Sequence, residues 1–234
     1  MNSDINFETY LFLSPQKFVI SCYDQLSKSN IFYEEIIVEN LSNEINFDLL
    51  KNFLEKNIFK IEKNLKSFVE KVYLIIETNE FFTTNVSVKK KNYGEIISKE
   101  KVIYLLNESK NECRKTIGDR KIIHMLIDNY LIDDNYYSTL PEDTTCHFFS
   151  LDIRFICLSN TFIKNIEKTF KNYQILINQI LSSEYVKNFS DNNEKDIFKT
   201  SSKIIDGFNE NEVVLAPKKP KNKGFFEHFF NLFS

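Results

Sequence analysis

Five consecutive apolar residues, Val72-Tyr-Leu-Ile-Ile76, follow directly on a long helical stripe. An unbroken run of this kind suits a strand covered on both faces, so this stretch needs a layer above it and a layer below it. In the stripe, Phe47, Leu50, Leu54, Ile58, Ile61, Leu65 and Phe68 step by three or four, which predicts one long helix. Lys51, Glu55, Lys56, Glu62, Lys63 and Lys66 take its outer face, and Asn43 or Asn46 is the expected N-cap.

Upstream, Tyr10–Leu13, Lys17–Tyr23 and Ile31–Val38 are rich in β-branched and aromatic residues and are separated by turn-prone clusters, which predicts three strands. Downstream the pattern changes. A short strand near Val86–Lys90, a helix from about Ser98 to Ile117, and long strands over Lys121–Ile132 and Thr144–Leu158 make a strand–helix–strand–strand unit. From Asn160 a helical pattern returns, followed by a short strand at Tyr173–Ile177 and a brief helix ending at Phe189. The expected fold class is α+β (mixed α/β). Residues 1–77 and 159–189 make one lobe, 78–158 an inserted subdomain, 190–224 a flexible linker, and 225–234 an amphipathic helix.

A chain of 234 residues with 23 Phe and 11 Tyr excludes global disorder, and a net charge of −3 gives no reason to expect nucleic acid. The 27 Lys, 27 Asn and single Ala fit an AT-rich coding bias and carry little about function. No run approaches the ~18 apolar residues of a bilayer-spanning helix, and the first residues lack the basic start and apolar core of a secretory signal. The expected location is cytoplasmic.

Catalytic signatures are sparse. Cys22, Cys113, Cys146 and Cys157 show no CxxC spacing. The adjacent Cys146 and His147 point to opposite faces of a strand, so no metal site is expected. With four glycines and no GxxxxGK[ST], GxGxxG or GxSxG, no phosphate-cradling loop is available. Asp133 and Asp134 read as turn residues. The expectation is no enzyme and no cofactor.

The last ten residues are the sharpest signal. On a helix, Phe225, Phe226, Phe229, Phe230, Leu232 and Phe233 fall within an arc of about 160°, and Glu227, His228, Asn231 and Ser234 occupy the other side. So short a helix needs a surface to order it. A bilayer interface supplies one, with Lys218, Lys219, Lys221 and Lys223 adding attraction to anionic lipid. Docking of the same residues on a protein groove is the alternative.

The order of elements, the insert and the tail together resemble the bacterial cell-division protein FtsA, of the actin-like family. Tyr10–Ile20 sits at that family's first phosphate hairpin. Val72–Ile76 matches the strand before its insert, and Asp119–Asp133 looks like its R-x-V-L-H-x-I-P-x-x-Y-x-I-D strand. Ile153–Leu158 with Asn165–Phe170 is similar to the strand and helix that re-enter the first lobe. The resemblance implies an actin-like (ribonuclease H-like) half with the inserted subdomain and a C-terminal membrane hook. It also implies division proteins as partners and self-association through residues 78–158. The departures are as informative. The hairpin's phosphate-handling Asp is Phe12, its Gly is Ser14 and its Thr pair is Pro15-Gln16, with only Lys17 kept, and the linker starts near 190 where a second lobe is expected. These departures argue against ATP. Because the family's docking surface for FtsZ belongs to that second lobe, FtsZ binding is not inherited automatically. The expected function is non-catalytic tethering of division components, FtsZ among the candidates, to the inner face of the cytoplasmic membrane. The alternatives are a pilus or secretion platform, or an ATPase completed by a separate second lobe.

Overall fold

A computed structural model describes residues 7–24, 26–27, 29–39, 42–141, 143–190 and 196–213. In chain order its elements are β1 (Phe7–Leu13), β2 (Lys17–Asp24), β3 (Ser29–Ile37), α1 (Phe47–Leu65), β4 (Lys71–Ile76), β5 (Phe81–Ile96) and α2 (Lys99–Thr116). They continue with β6 (Arg120–Ile132), β7 (Asn135–Tyr137), β8 (Thr145–Ser159), α3 (Asn160–Lys171), β9 (Leu176–Ser182), α4 (Ser183–Phe189) and α5 (Ile197–Ile205).

The first sheet has the order β3-β2-β1-β4-β9. β1, β2 and β3 form an antiparallel meander, and β4 and β9 run parallel to β1 and to each other. Period-two alternation assigns its two faces. Leu11, Leu13, Phe18, Ile20, Leu74 and Ile76 pack against α1 and α3. Tyr10, Val19, Tyr23 and Ile75 pack against α4 and α5. The run Val72–Ile76 is therefore a central strand between two helical layers, as its composition requires. α1 starts at Asn46, whose side chain accepts the Asp48 and Leu49 amides. It buries Leu50, Phe53, Leu54, Ile58 and Ile61, each worth about 1.5–3 kcal/mol of apolar burial.

The inserted unit leaves after β4 and returns at α3. Its sheet, β5-β8-β6-β7, carries α2 on one face, where Leu105, Leu106 and Cys113 meet Phe149, Leu151, Ile153, Phe155 and Cys157. The opposite face of β8 carries the exposed Phe148 and the half-exposed Asp152 and Arg154.

Four expectations need correction. The α1 stripe stops at Leu65, because Lys66 adopts a left-handed φ of 54° and leaves Phe68 exposed. The strand after α3 is Leu176–Ser182, displaced by a turn whose Gln174 has a φ of 58°. β5 spans 16 residues rather than a short segment, because antiparallel pairing with β8 runs its whole length around a bulge between Lys91 and Glu95. Finally, 190–224 is not one linker. Asp196 caps α5, and Phe198 and Ile204 are buried against the first sheet. Seven residues, 190–196, join α4 to α5 near the point where a second lobe was expected.

Candidate functional site

The C-terminal ends of parallel strands flanking a change of direction are where α/β sheets bind ligands. In this lobe that place is a cleft of about 330 Å³ lined by Pro15 and Gln16 of the β1–β2 turn, Glu77 and Thr78 after β4, and Ser183 and Glu184 at the start of α4. The turn's own bonding occupies two of its amides: Ser14 N–H donates to the Lys17 carbonyl (2.9 Å) and Lys17 N–H donates back to Ser14 (3.4 Å), while Pro15 has no N–H. Glu77 stands in the cleft with its carboxylate 2.6 Å from Lys187 Nζ and accepting from Ser183 Oγ at 3.1 Å. The Lys187 hydrogen bond holds the Glu77 carboxyl below its usual range, so the cleft keeps an anion at neutral pH.

Phe12, at the position the resemblance assigns to a phosphate-handling Asp, packs against the cluster of Tyr10, Val19 and Phe198 under α5. Lys17, the one retained hairpin residue, is 2.9 Å from the carboxylate of Glu35 on β3 and is neutralised there. A polyphosphate entering this cleft would meet the Glu77 carboxylate, already paired with Lys187, and a turn in which Pro15 offers no amide.

The cysteines are core groups. All four are buried and free, and burial pushes the Cys22 and Cys157 thiols up to about 12. Cys146 is buried while His147 is exposed, which is the opposite-face arrangement that alternation requires. Asp133 accepts the amides of His147 and Phe148 (3.0 and 2.9 Å), a turn-holding role. Among the described residues, no three His, Cys, Asp or Glu side chains gather as metal ligands, and no helix is long and apolar enough to cross a membrane.

Sequence reasoning did not find a polar junction between lobe and insert. His124 on β6 is buried. Its Nε2 accepts the Ser182 amide at 3.1 Å, so Nδ1 carries the proton and donates it to Glu212 at 2.7 Å. Tyr185 donates to the other Glu212 oxygen at 2.7 Å, and Asn209 donates to the Tyr185 hydroxyl at 2.7 Å. Burial first, and the Glu212 hydrogen bond second, push the Tyr185 hydroxyl well above its usual range. Residues 209–213 form a strap on the β6 edge. Ile127 N–H donates to the Asn211 carbonyl (2.9 Å), and Val213 N–H to the Met125 carbonyl (2.8 Å). The membrane-binding residues expected from sequence, Lys218, Lys219, Lys221, Lys223 and Phe225 to Phe233, lie outside the described residues.

No family model matches this chain, and no curated protein matches its sequence. Solved structures resemble parts of it at low identity and low overall overlap. The cytoplasmic domain of EpsL, an inner membrane component of the type II secretion system of Vibrio cholerae, is 10% identical with a TM-score of 0.41; the match covers 77% of this chain and 59% of that one. A PilM–PilN type IV pilus biogenesis complex is 8% identical with a TM-score of 0.49, covering 78% and 49%. A Bacteroides thetaiotaomicron protein with an actin-like ATPase fold and unknown function is 12% identical with a TM-score of 0.33, covering 80% and 56%. The chain thus spans about half to three-fifths of the length of these structures. Strand order and direction, rather than overall overlap, define the lobe: a meander of three strands with two parallel strands added beside β1, helices on both faces, and an insert after the fourth strand. This protein is built on a mixed five-stranded lobe with helices on both faces and a strand–helix–strand–strand subdomain inserted after its fourth strand, the α+β architecture expected from its sequence.

Proposed function

We propose that this protein is a non-catalytic actin-like platform that holds components of a cell-envelope machine at the inner face of the cytoplasmic membrane, with FtsA-like service in cell division as the first reading. The observation that carries the proposal is Phe12. The lobe keeps its complete sheet and both helical layers, while the position of phosphate chemistry is an aromatic ring packed under α5. A frame kept intact around a hairpin that lacks the expected acidic residue fits a protein selected for its surfaces.

The mechanism is tethering. The Phe-rich stretch 225–234 enters the lipid interface, Lys218, Lys219, Lys221 and Lys223 add attraction to anionic headgroups, and the insert offers a protein-binding surface at high local concentration. A platform for pilus or secretion assembly is the second reading, since EpsL and PilM–PilN belong to such systems. An ATPase completed by a separate lobe is the third, and the β1–β2 turn, in which Pro15 removes an amide donor, argues against it.

The test is co-sedimentation of the full chain with anionic vesicles, beside a Phe229→Glu, Phe230→Glu variant, with and without purified FtsZ. Pelleting that carries FtsZ down and is abolished in the variant supports the division reading. Pelleting without FtsZ keeps the tether and moves the partner to secretion or pilus proteins. A full chain that stays in the supernatant refutes the tether.

A further inference from the structure

The end of α2 and the start of β6 form one wall of a groove of about 560 Å³ that contains Lys110, Arg114, Arg120 and Lys121. Among the described residues, none of these four makes an ion pair. Glu212 reaches the groove, but both of its oxygens are held by His124 and Tyr185. Asp119, beside the rim, accepts from Asn160 at 2.7 Å. A helix C-terminus favours nearby cations, which accounts for Arg114 in the last turn of α2. Arg120 serves the same helix end, donating to the Ile117 carbonyl at 3.1 Å with its guanidinium 5.0 Å over the Phe82 ring, but neither effect accounts for Lys110 further up the helix or for Lys121 on the strand. Burial and the charge of Arg114 hold the Lys110 ammonium below its usual range, as expected of cations crowded without a counter-charge.

Position decides what this charge meets. Val213 lines the same groove, held there by its bond to Met125. Only residues 214–224 separate it from the Phe-rich stretch, a span of at most about 40 Å when fully extended. Four more lysines lie within that span. Whatever surface takes the tail therefore lies within about 40 Å of the groove.

We propose that this cationic groove is a second membrane contact that takes anionic lipid headgroups and fixes the orientation of the platform on the bilayer. The proposal rests on the tail being a membrane hook. Charge complementarity and the short leash favour lipid over an acidic polypeptide. With the groove seated on the headgroups, the platform meets its partners in one pose and does not swing on its tail.

The experiment measures binding of the full chain to phosphatidylcholine vesicles with and without phosphatidylglycerol. It compares the wild type with Arg114→Gln, Lys121→Gln in the groove, with Lys89→Gln, Lys91→Gln on another face of the insert, and with Phe229→Glu, Phe230→Glu in the tail. Because Arg114 and Lys121 are exposed, their replacement leaves the fold intact, and circular dichroism checks this. The groove variant is expected to lose on the order of 10-fold or more in affinity for the anionic vesicles, with the Lys89, Lys91 variant within about 2-fold of wild type. Equal losses in the two lysine-bearing faces reduce the effect to general charge and overturn the proposal. An unchanged groove variant overturns it while the tail reading survives. If the wild type binds no vesicles, the tail reading falls and the groove contact falls with it. If the groove variant keeps vesicle binding and loses an acidic partner protein, the groove belongs to a polypeptide.

Discussion

His124 Nδ1 donates to Glu212 Oε1 across 2.7 Å, joining residues 88 positions apart in a pocket where the His side chain is fully buried and the Glu side chain is 9% exposed. The pair ties the insert, through β6, to the strap that ends the described chain. It ties both to the lobe, because the Ser182 amide at the end of β9 donates to the same ring.

Replacing Glu212 with Ala leaves the buried Nδ1–H of His124 and the hydroxyl of Tyr185 without their acceptor. The expected cost is about 2–4 kcal/mol, read as a lower urea midpoint at unchanged slope. Amides of Ile127 and Val213 should exchange faster in the variant, since the strap loses its central anchor. Unchanged exchange at those two amides would show that the backbone bonds alone hold the strap.

α5 should be part of the cooperative fold. Phe198→Ala is expected to cost about 3–5 kcal/mol, because the ring is buried against Tyr10 with centroids 6.1 Å apart. A chain ending at 213 should melt with the full chain, whereas one ending at 190 should melt much lower or fail to fold. Equal melting of both truncations would return α5 to the status of a linker.

The buried thiols give an alkaline limit. Cys22 and Cys157 ionise near 8.5 in an unfolded chain, while burial pushes them up to about 12 in the folded one. Since the folded values are the higher ones, this contribution is complete below about 8.5 and is lost as pH rises towards about 12. Near pH 10 the loss per thiol is about 2 kcal/mol. A Cys22→Ala variant should show a flatter decline of urea midpoint between pH 8 and 10.5, and a slope identical to wild type would exclude Cys22 as a source.

Nucleotide should not stabilise the protein. With Mg-ATP at about 1 mM the melting temperature is expected to stay unchanged, which corresponds to binding weaker than about 4 kcal/mol. Replacing Phe12 with Asp should lower stability without creating ATP binding, because Glu77 and Pro15 remain in the cleft. A clear upward shift with wild type would overturn the non-catalytic reading.

Much of the frame was legible because apolar periodicity reports burial directly. The α1 stripe, the run Val72–Ile76 and the alternation along β8 each encode how many faces are covered. β5 was harder to read. Only Val86 and Val88 alternate in it, while Thr83, Asn85, Ser87, Lys89 and Lys91 face away from α2, so its outer half carries no hydrophobic signal. α5 was hidden in an Asp-, Asn- and Lys-rich stretch. Its signal was present as Asp196 at the cap followed by Phe198, Ser201 and Ile204 at helical spacing. The His124 junction was not legible at all. Its partners come from β9, α4 and the strap, and only tertiary structure brings them together.

Seven residues separate Phe189 at the end of α4 from Ile197 at the start of α5, two helices on the same side of the lobe. A further domain spliced there would leave by α4 and come back by α5, adding mass without altering one strand pairing. A fluorescent domain grafted between α4 and α5 would follow the platform in living cells while every described strand stays uninterrupted.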